Sequence, residues 1–215
     1  RRSSDLMLRL LSAFYSQPWA VTDEAWGAME GVLVRWSSGV RLDALQIAEA
    51  VGDAPEAAVQ RRAQAQAASG AGVQVVTIYG VMTHRAYAAN NASRPLTSTE
   101  AVAAQIRQAM ASDEVGTIVL DIDSPGGSVS GTAELADVVA AARAVKPVIA
   151  VANAEAASAA YWVASQASEI VVTPSGMVGS IGVRMPYTDD SEAQAREGIK
   201  REYISYGKYK SEGRS

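Results

Sequence analysis

The spacing of hydrophobic and polar positions along the chain changes near residue 70. Before that point apolar residues recur three and four positions apart, beginning with Leu6, Leu10 and Phe14, as on one face of a helix. Beyond it, short β-branched runs that end at glycine alternate with alanine-rich stretches. The pattern therefore predicts a helical amino-terminal arm over residues 1–70 and a second domain over residues 71–215.

The second domain is predicted to alternate strands with helices. Strands are predicted over residues 73–79, 117–121, 148–152, 170–173 and 201–205, with an extended segment over 180–183. Helices are predicted up to residue 111 from a capping box at 97–100, and over 131–145, 157–167 and 189–197. Short apolar strands that alternate with helices imply βαβ crossovers, so the fold class is α/β with a mostly parallel sheet.

Charge and hydropathy limit the classes of partner. The formal net charge is −4, which gives no reason to expect nucleic acid or an anionic membrane surface. No run of about 20 apolar residues occurs, so no transmembrane helix is expected. We therefore predict no nucleic-acid partner and no membrane partner.

The absence of cysteine and the single histidine narrow the chemistry further. Without cysteine the chain forms no disulfide, thiolate nucleophile or zinc–sulfur site. His84 follows a predicted strand, where a lone histidine is more often a loop residue than a catalyst. The aspartates are scattered without ligand spacing, so we predict no metal and no cofactor.

Three predicted strand ends carry unusual residues, and the first reads DSPGG at residues 123–127. The carboxyl ends of parallel strands are where α/β sheets form their sites. Gly126 and Gly127 permit a sharp turn and present bare N–H groups, which suit an oxyanion as well as an ordinary strand-to-helix turn. No GxxxxGK[ST] pattern occurs, which argues against a phosphate loop.

The second strand end places Ser158 within the sequence EAASAAYW. A hydroxyl at the passage from strand to helix lies near helix N–H groups, which stabilise developing negative charge. The neighbouring alanines leave room for a peptide backbone. Taken alone, Ser158 is equally explained as a helix cap.

The third strand end reads GSIGV at residues 179–183, and GKYKSEG follows at 207–213. A lysine acts as a general base where desolvation lowers its pKa, and Ser-Lys pairs are an accepted variant of the catalytic triad. Taken alone, Lys208 and Lys210 are equally explained as solvated charges near a chain end.

Together and in this order, the four motifs resemble the signal peptide peptidase A family of serine peptidases. The resemblance covers roughly residues 73–213. Cellular members usually read ASGGY around the nucleophile, whereas this chain reads ASAAY, as in the phage head-maturation (capsid or prohead protease) branch. The family shares its fold with the Clp protease proteolytic subunit and the crotonases, so the resemblance implies a Clp protease/crotonase-like fold.

The resemblance also implies roles for individual residues. Ser158 matches the nucleophile, Lys210 matches the general base, and Ser180 matches the hydroxyl that orients the lysine. The oxyanion hole is assigned to backbone N–H groups of Gly127 or Gly126 and of Ala159. An extended substrate is expected to pair with the sheet along a segment of four residues: Gly179, Ile181, Gly182 and Val183.

By this resemblance the chain is a Ser-Lys endopeptidase that cleaves scaffold and capsid or portal proteins. The resemblance implies a homo-oligomer that acts in the host cytoplasm and the phage prohead. Family members usually continue into a further helix beyond the lysine, whereas this sequence ends five residues after Lys210. We therefore expect that a carboxyl-terminal part of the peptidase domain is missing from the sequence.

Several alternatives remain open from the sequence. One is a cellular protease of the same family without a membrane anchor. Another is a crotonase-like acyl-CoA enzyme, which would leave Ser158 and Lys210 without a role. The last is a non-catalytic assembly or scaffold protein on the same fold, which would not need Ser158, Ser180 and Lys210 together.

Overall fold

The computed structural model of the chain describes residues 14–37, 60, 72–85, 96–186, 189, 191–200 and 206. The chain divides into two units, Arg1–Met185 and Pro186–Ser215. Several predictions lie outside the described residues: the helical arm before Phe14 and over most of residues 38–70, the strand at 201–205, and Lys208 and Lys210.

A parallel sheet forms the centre of the first unit. Its strands run in the order β2-β5-β7-β8, and β9 pairs in parallel with the end of β7. The strands are β2 Val73–Tyr79, β5 Thr117–Ser124, β7 Val148–Ala157, β8 Glu169–Val172 and β9 Met177–Gly179. In β5 the side chains alternate strictly, with Ile118, Leu120 and Ile122 fully buried. This period of two is the one expected of a pleated strand.

A smaller sheet of short strands stands beside it, in the order β1-β6-β3-β4. The strands are β1 Trp19–Val21, β3 Met82–Thr83, β4 Thr97–Ser98 and β6 Gly126–Ser128. Strand β1 is antiparallel to β6, and the other pairs are parallel. The helical prediction for residues 1–70 is therefore wrong at Trp19–Val21, where pairing with β6 outweighs the local helical pattern.

The helices of the first unit are α1 Asp23–Ser37, α2 Thr99–Ala111, α3 Thr132–Arg143 and α4 Ala159–Ala164. Helix α2 begins as predicted, but Ser98 is its cap and accepts the Ala101 N–H. The Thr97 hydroxyl instead donates to the Tyr79 carbonyl at 2.6 Å. At the other end of α2, Lys146 Nζ donates to the carbonyls of Ala109 and Ser112 at 2.8 and 2.5 Å.

The second unit contains helix α5, Ser191–Arg196. Gly198 follows the helix with φ +72°, which agrees with its predicted role as the residue that stops it. Asp189 precedes the helix, and a hydrogen bond to Ser191 lowers the pKa of the Asp189 carboxyl.

Alanine fills the core where β7 meets α4. Seven alanines of these two elements are at most 1% exposed: Ala150, Ala152, Ala156, Ala157, Ala159, Ala160 and Ala164. Side chains of one methyl group let the helix lie close to the strand that leads into it. The remaining core is built mainly from valine, isoleucine and leucine of the strands and of α2 and α3.

The predicted α/β class with a mostly parallel sheet and βαβ crossovers is confirmed by this topology. The division at residue 70 stays a prediction, because most of residues 38–71 lie outside the described part. Among the described helices none has both the length and the apolar character that spanning a bilayer requires.

Candidate active site

Ser158 lies at the turn between β7 and α4. Strand β7 ends at Ala157 and α4 begins at Ala159, so Ser158 alone joins the two elements. Its backbone has φ +54° and ψ −113°, a conformation that side-chain-bearing residues rarely adopt. The residue is buried, with 6% of its surface exposed. A sharp turn of this kind between strand and helix places the hydroxyl beside the first N–H groups of the helix.

Backbone hydrogen bonds hold Ser158 against the segment that follows β9. The Ser158 N–H donates to the Gly179 carbonyl at 2.7 Å, and the Ser158 hydroxyl donates to the Gly182 carbonyl at 3.3 Å. Ser180 lies between these two acceptors, with φ +52° and an exposed side chain. The structure thus brings Ser158 and the Ser180 segment together.

The predicted substrate-binding segment lies at an open edge. Ile181 is 85% exposed and Val183 is 59% exposed. Gly179 and Gly182 have φ +118° and +151°, and no heavy atom of the described residues lies within 4 Å of the place where either would carry a Cβ.

Gly126 lies against the turn that carries Ser158. A Cβ on Gly126 would stand 3.0 Å from the Ala157 carbonyl oxygen and 3.1 Å from the Ala159 nitrogen. The Gly126 N–H is itself engaged, since it donates to Ser124 Oγ at 3.2 Å. The Gly127 N–H is engaged as well, because Gly127 forms a hydrogen-bonded pair with Ala20 of β1.

Gly127 is confined by backbone on its other side. A Cβ on Gly127 would stand 2.0 Å from the Met82 carbonyl oxygen, so only glycine fits there. The two glycines and Ala159 are all buried. The structure thus gathers the predicted oxyanion residues around the predicted nucleophile, and such backbone N–H groups stabilise the negative charge of a tetrahedral intermediate.

The structure describes one of the two titratable residues named by the sequence. Lys210 lies outside the described residues. His84 is exposed at the end of β3, and its carbonyl accepts hydrogen bonds from Ser98 and Thr99 at the start of α2. His84 thus supports a loop and a helix start.

One element of the site was missed by sequence reasoning. Strand β1 pairs with Gly126–Ser128, although its residues were predicted to belong to a helical arm. Pro18 directly precedes it, and the residue before a proline is biased towards extended backbone. That signal, together with the β-branched Val21, marks a break in the helical pattern.

Comparison with known proteins agrees with the motifs. Residues 140–215 match the model of Peptidase family S49. The chain is 36% identical over 145 residues to the head-tail preconnector protein GP5 of Enterobacteria phage P21. This match covers 66% of this chain and 28% of that protein. It is 35% identical over 142 residues to the capsid assembly protease C of Escherichia phage lambda. This match covers 66% of this chain and 32% of that protein.

The chain thus spans about a third or less of the length of these two curated relatives. Among solved structures, it is similar to the 1510-N membrane protease specific for a stomatin homolog from Pyrococcus horikoshii. That match has 23% identity and a TM-score of 0.38, and it covers 50% of this chain and 48% of the other. Residues 140–215 therefore match peptidase family S49, and the resemblance of the chain to the phage capsid-assembly branch of these peptidases is confirmed.

Proposed function

We propose that the chain is the peptidase part of a serine endopeptidase that matures phage heads, with Ser158 as nucleophile and Lys210 as general base. One observation supports this most strongly. Ser158 stands alone at a left-handed turn between strand and helix, beside the Gly126–Gly127 loop and the open segment after β9. A helix cap needs neither this backbone conformation nor these neighbours.

The proposed reaction is acyl transfer followed by hydrolysis. Ser158 Oγ attacks the carbonyl carbon of the scissile bond while Lys210, neutral at working pH, takes the hydroxyl proton. The oxyanion accepts hydrogen bonds from the N–H groups of Gly127 and Ala159. Lys210 then gives the proton to the leaving amine, and water hydrolyses the acyl-enzyme by the same route in reverse. Ser180 holds the lysine in place.

The proposed substrates are scaffold and capsid or portal proteins, cleaved in the prohead and the host cytoplasm by a homo-oligomer. The names of the phage relatives support this, since one is a capsid assembly protease and the other a head-tail preconnector protein. The same names favour a peptidase over the acyl-CoA enzyme that the sequence left open.

Intact-mass spectrometry of an unfolded test protein measures the proposed activity directly. The wild type is compared with Ser158→Ala and Lys210→Ala between pH 6 and pH 10. We expect each variant to lower kcat by about 10⁴–10⁶, and the double variant to be little worse, because the two residues act as a unit. Cleavage by the wild type should increase with pH, because only the neutral lysine accepts a proton.

Matched variants separate the proposed roles from general damage. Ser165→Ala changes a serine about two turns beyond Ser158, and Lys208→Ala removes the neighbouring lysine; both should keep full activity. A pH profile that follows a group near 6.5 and disappears in His84→Ala would contradict the lysine mechanism.

A further inference from the structure

Strand β1 lies between Gly126–Ser128, which carries the proposed oxyanion donor, and the residue that follows the predicted substrate-binding segment. On one side Ala20 is paired with Gly127 and Trp19 with Ser128, in antiparallel register. On the other side Trp19 and Arg184 exchange two backbone hydrogen bonds, each 2.9 Å long. Arg184 directly follows the predicted substrate-binding segment. The chain thus places its own residues along the edge where a substrate would pair.

The pairing directs the Ala20 carbonyl at the proposed oxyanion donor. Thr22 N–H donates to the Pro125 carbonyl at 3.1 Å, and Val129 N–H donates to the Pro18 carbonyl at 3.3 Å. Hydrogen-bonded pairs alternate along an antiparallel ladder, so Ala20 and Gly127 form the pair between these two. The Gly127 N–H therefore points at the Ala20 oxygen.

The position of this oxygen relative to the site is fixed by a second observation. The point where Gly126 would carry a Cβ is 2.2 Å from the Ala20 carbonyl oxygen and 3.1 Å from the Ala159 nitrogen. The Ala20 carbonyl thus lies in the immediate surroundings of both N–H groups assigned to the oxyanion hole. A scissile carbonyl would need the same place.

We infer that residues 18–22 occupy the substrate groove of the peptidase as an intramolecular competitor, with Ala20 in the place of the residue on the amino side of the scissile bond. The inference rests on the proposed function and adds a regulation to it. An incoming peptide must pair with the same backbone groups by strand addition, so β1 and substrate exclude each other. Only the fraction of molecules with β1 displaced binds substrate.

Packing holds the competitor in place more firmly than the ladder alone. Trp19 and Val21 are buried with Phe14 and Val81, and Trp26 of α1 stacks on Phe14 with the ring centroids 4.4 Å apart. The Trp19 indole N–H donates to the Phe14 carbonyl at 2.9 Å. Release of the groove therefore requires the apolar contacts around Trp19 to open together with the strand.

An ion pair between Asp23 and Arg184 links the start of α1 to the residue that pairs with Trp19. Asp23 is the first residue of α1, and its carboxylate binds the Arg184 guanidinium. The Thr22 hydroxyl accepts the Ala25 N–H at 3.3 Å and so caps the helix that follows the strand. Displacement of β1 thus moves the start of α1, so an event at the amino-terminal arm is able to open the groove.

The first test measures how fast Ser158 reacts with a fluorophosphonate probe in the wild type and in Ala20→Pro. Proline removes the Ala20 N–H, which donates to the Gly127 carbonyl in this pairing. We expect labelling of Ser158 and kcat/KM for an unfolded protein substrate to rise together by about tenfold, as the open fraction increases. Leu33→Ala, which removes apolar contact from the cluster around Trp19 and leaves the ladder intact, should raise labelling as well. Gly116→Ala, which meets only an ordinary contact at 3.6 Å, is the matched control and should not.

The second test needs no variant. Amide hydrogen exchange is followed in the wild type before and after reaction with a peptidyl diphenyl phosphonate, whose peptide part must pair with Gly127. Amides of Trp19–Val21 should lose their protection when Ser158 is occupied, while those of β5 keep theirs. Continued protection of Trp19–Val21 in the labelled protein would overturn the inference.

The outcomes separate this inference from the proposed function. Equal labelling of the wild type and a folded Ala20→Pro variant would refute the competitor and leave the peptidase intact. Cleavage of the wild type after Ala20, absent from Ser158→Ala, would show that the segment is a substrate and not a competitor. Failure of the probe to label any variant at Ser158 would refute the proposed function itself.

Discussion

The backbone of Ser158 predicts that a glycine variant at this position is more stable than an alanine variant. With φ +54° and ψ −113°, a residue with a side chain is strained here, and glycine is not. Such strain costs about 1–3 kcal/mol. Glycine loses about 0.5–1 kcal/mol through its larger freedom in the unfolded chain. The Ser158→Gly variant should therefore exceed Ser158→Ala by about 0.5–2 kcal/mol in free energy of unfolding.

Comparison of the two variants isolates the backbone, because both lack the hydroxyl that donates to Gly182. For a chain of this size each kcal/mol shifts Tm by about 2–4 °C, so Ser158→Gly should melt about 1–8 °C above Ser158→Ala. Differential scanning calorimetry measures the shift, and both variants should be inactive in the protein-cleavage assay.

Ser165 provides the matched control at the other end of α4. Its φ and ψ are −64° and −15°, an ordinary helical conformation. There glycine should be less stable than alanine by about 0.5–1 kcal/mol, opposite in sign to position 158. If Ser158→Gly melted below Ser158→Ala, the serine would not be strained and the argument for a nucleophile held by a sharp turn would fail.

Three other predictions follow from contacts elsewhere in the structure. Gly127→Ala places a methyl group against a β3 carbonyl, so activity and Tm should both fall. Gly116→Ala meets only an ordinary contact at 3.6 Å and should leave both unchanged in the same assays. Lys146→Met should lower the free energy of unfolding in urea by about 1–3 kcal/mol, because the carbonyls that end α2 lose their donor. An equal loss in Arg143→Met, a substitution of an exposed neighbour, would contradict this. Desolvation, and then the charge of Glu30, raise the pKa of Tyr15 above its ordinary value of 10.0. Stability linked to Tyr15 is thus present below pH 10 and lost above it, and ultraviolet titration should show a smaller shift in Glu30→Gln.

The strands and helices of the parallel sheet were predictable because their side-chain pattern is local. The run at 117–121 is a short apolar segment between polar residues, which favours a buried strand, and the alanine-rich stretches between such runs favour helices. The short strands were not predictable. Gly126–Ser128 and Trp19–Val21 have too few residues to show a period, and each is extended only because the other pairs with it.

The candidate site was predictable in its residues and not in its surroundings. The motifs identified Ser158, Ser180 and the two glycines, and the structure brings these residues together. No sequence pattern indicates that Ala20 lies beside Gly127, since 107 residues of chain separate them and long-range pairing leaves no local signal. The placement of Lys210 stays a prediction.

The alanine-filled contact between β7 and α4 has a consequence for how the specificity of such an enzyme can change. Around the nucleophile almost every position is filled by a single methyl group, so any larger residue there meets tightly packed backbone. New substrate preferences of the proposed peptidase therefore cannot arise by substitution of these alanines. They must arise in the segment after β9, where Ile181, Val183 and Met185 project into solvent and tolerate exchange. A library randomised at these three positions should retain folded, active members, whereas one randomised along β7 and α4 should contain few.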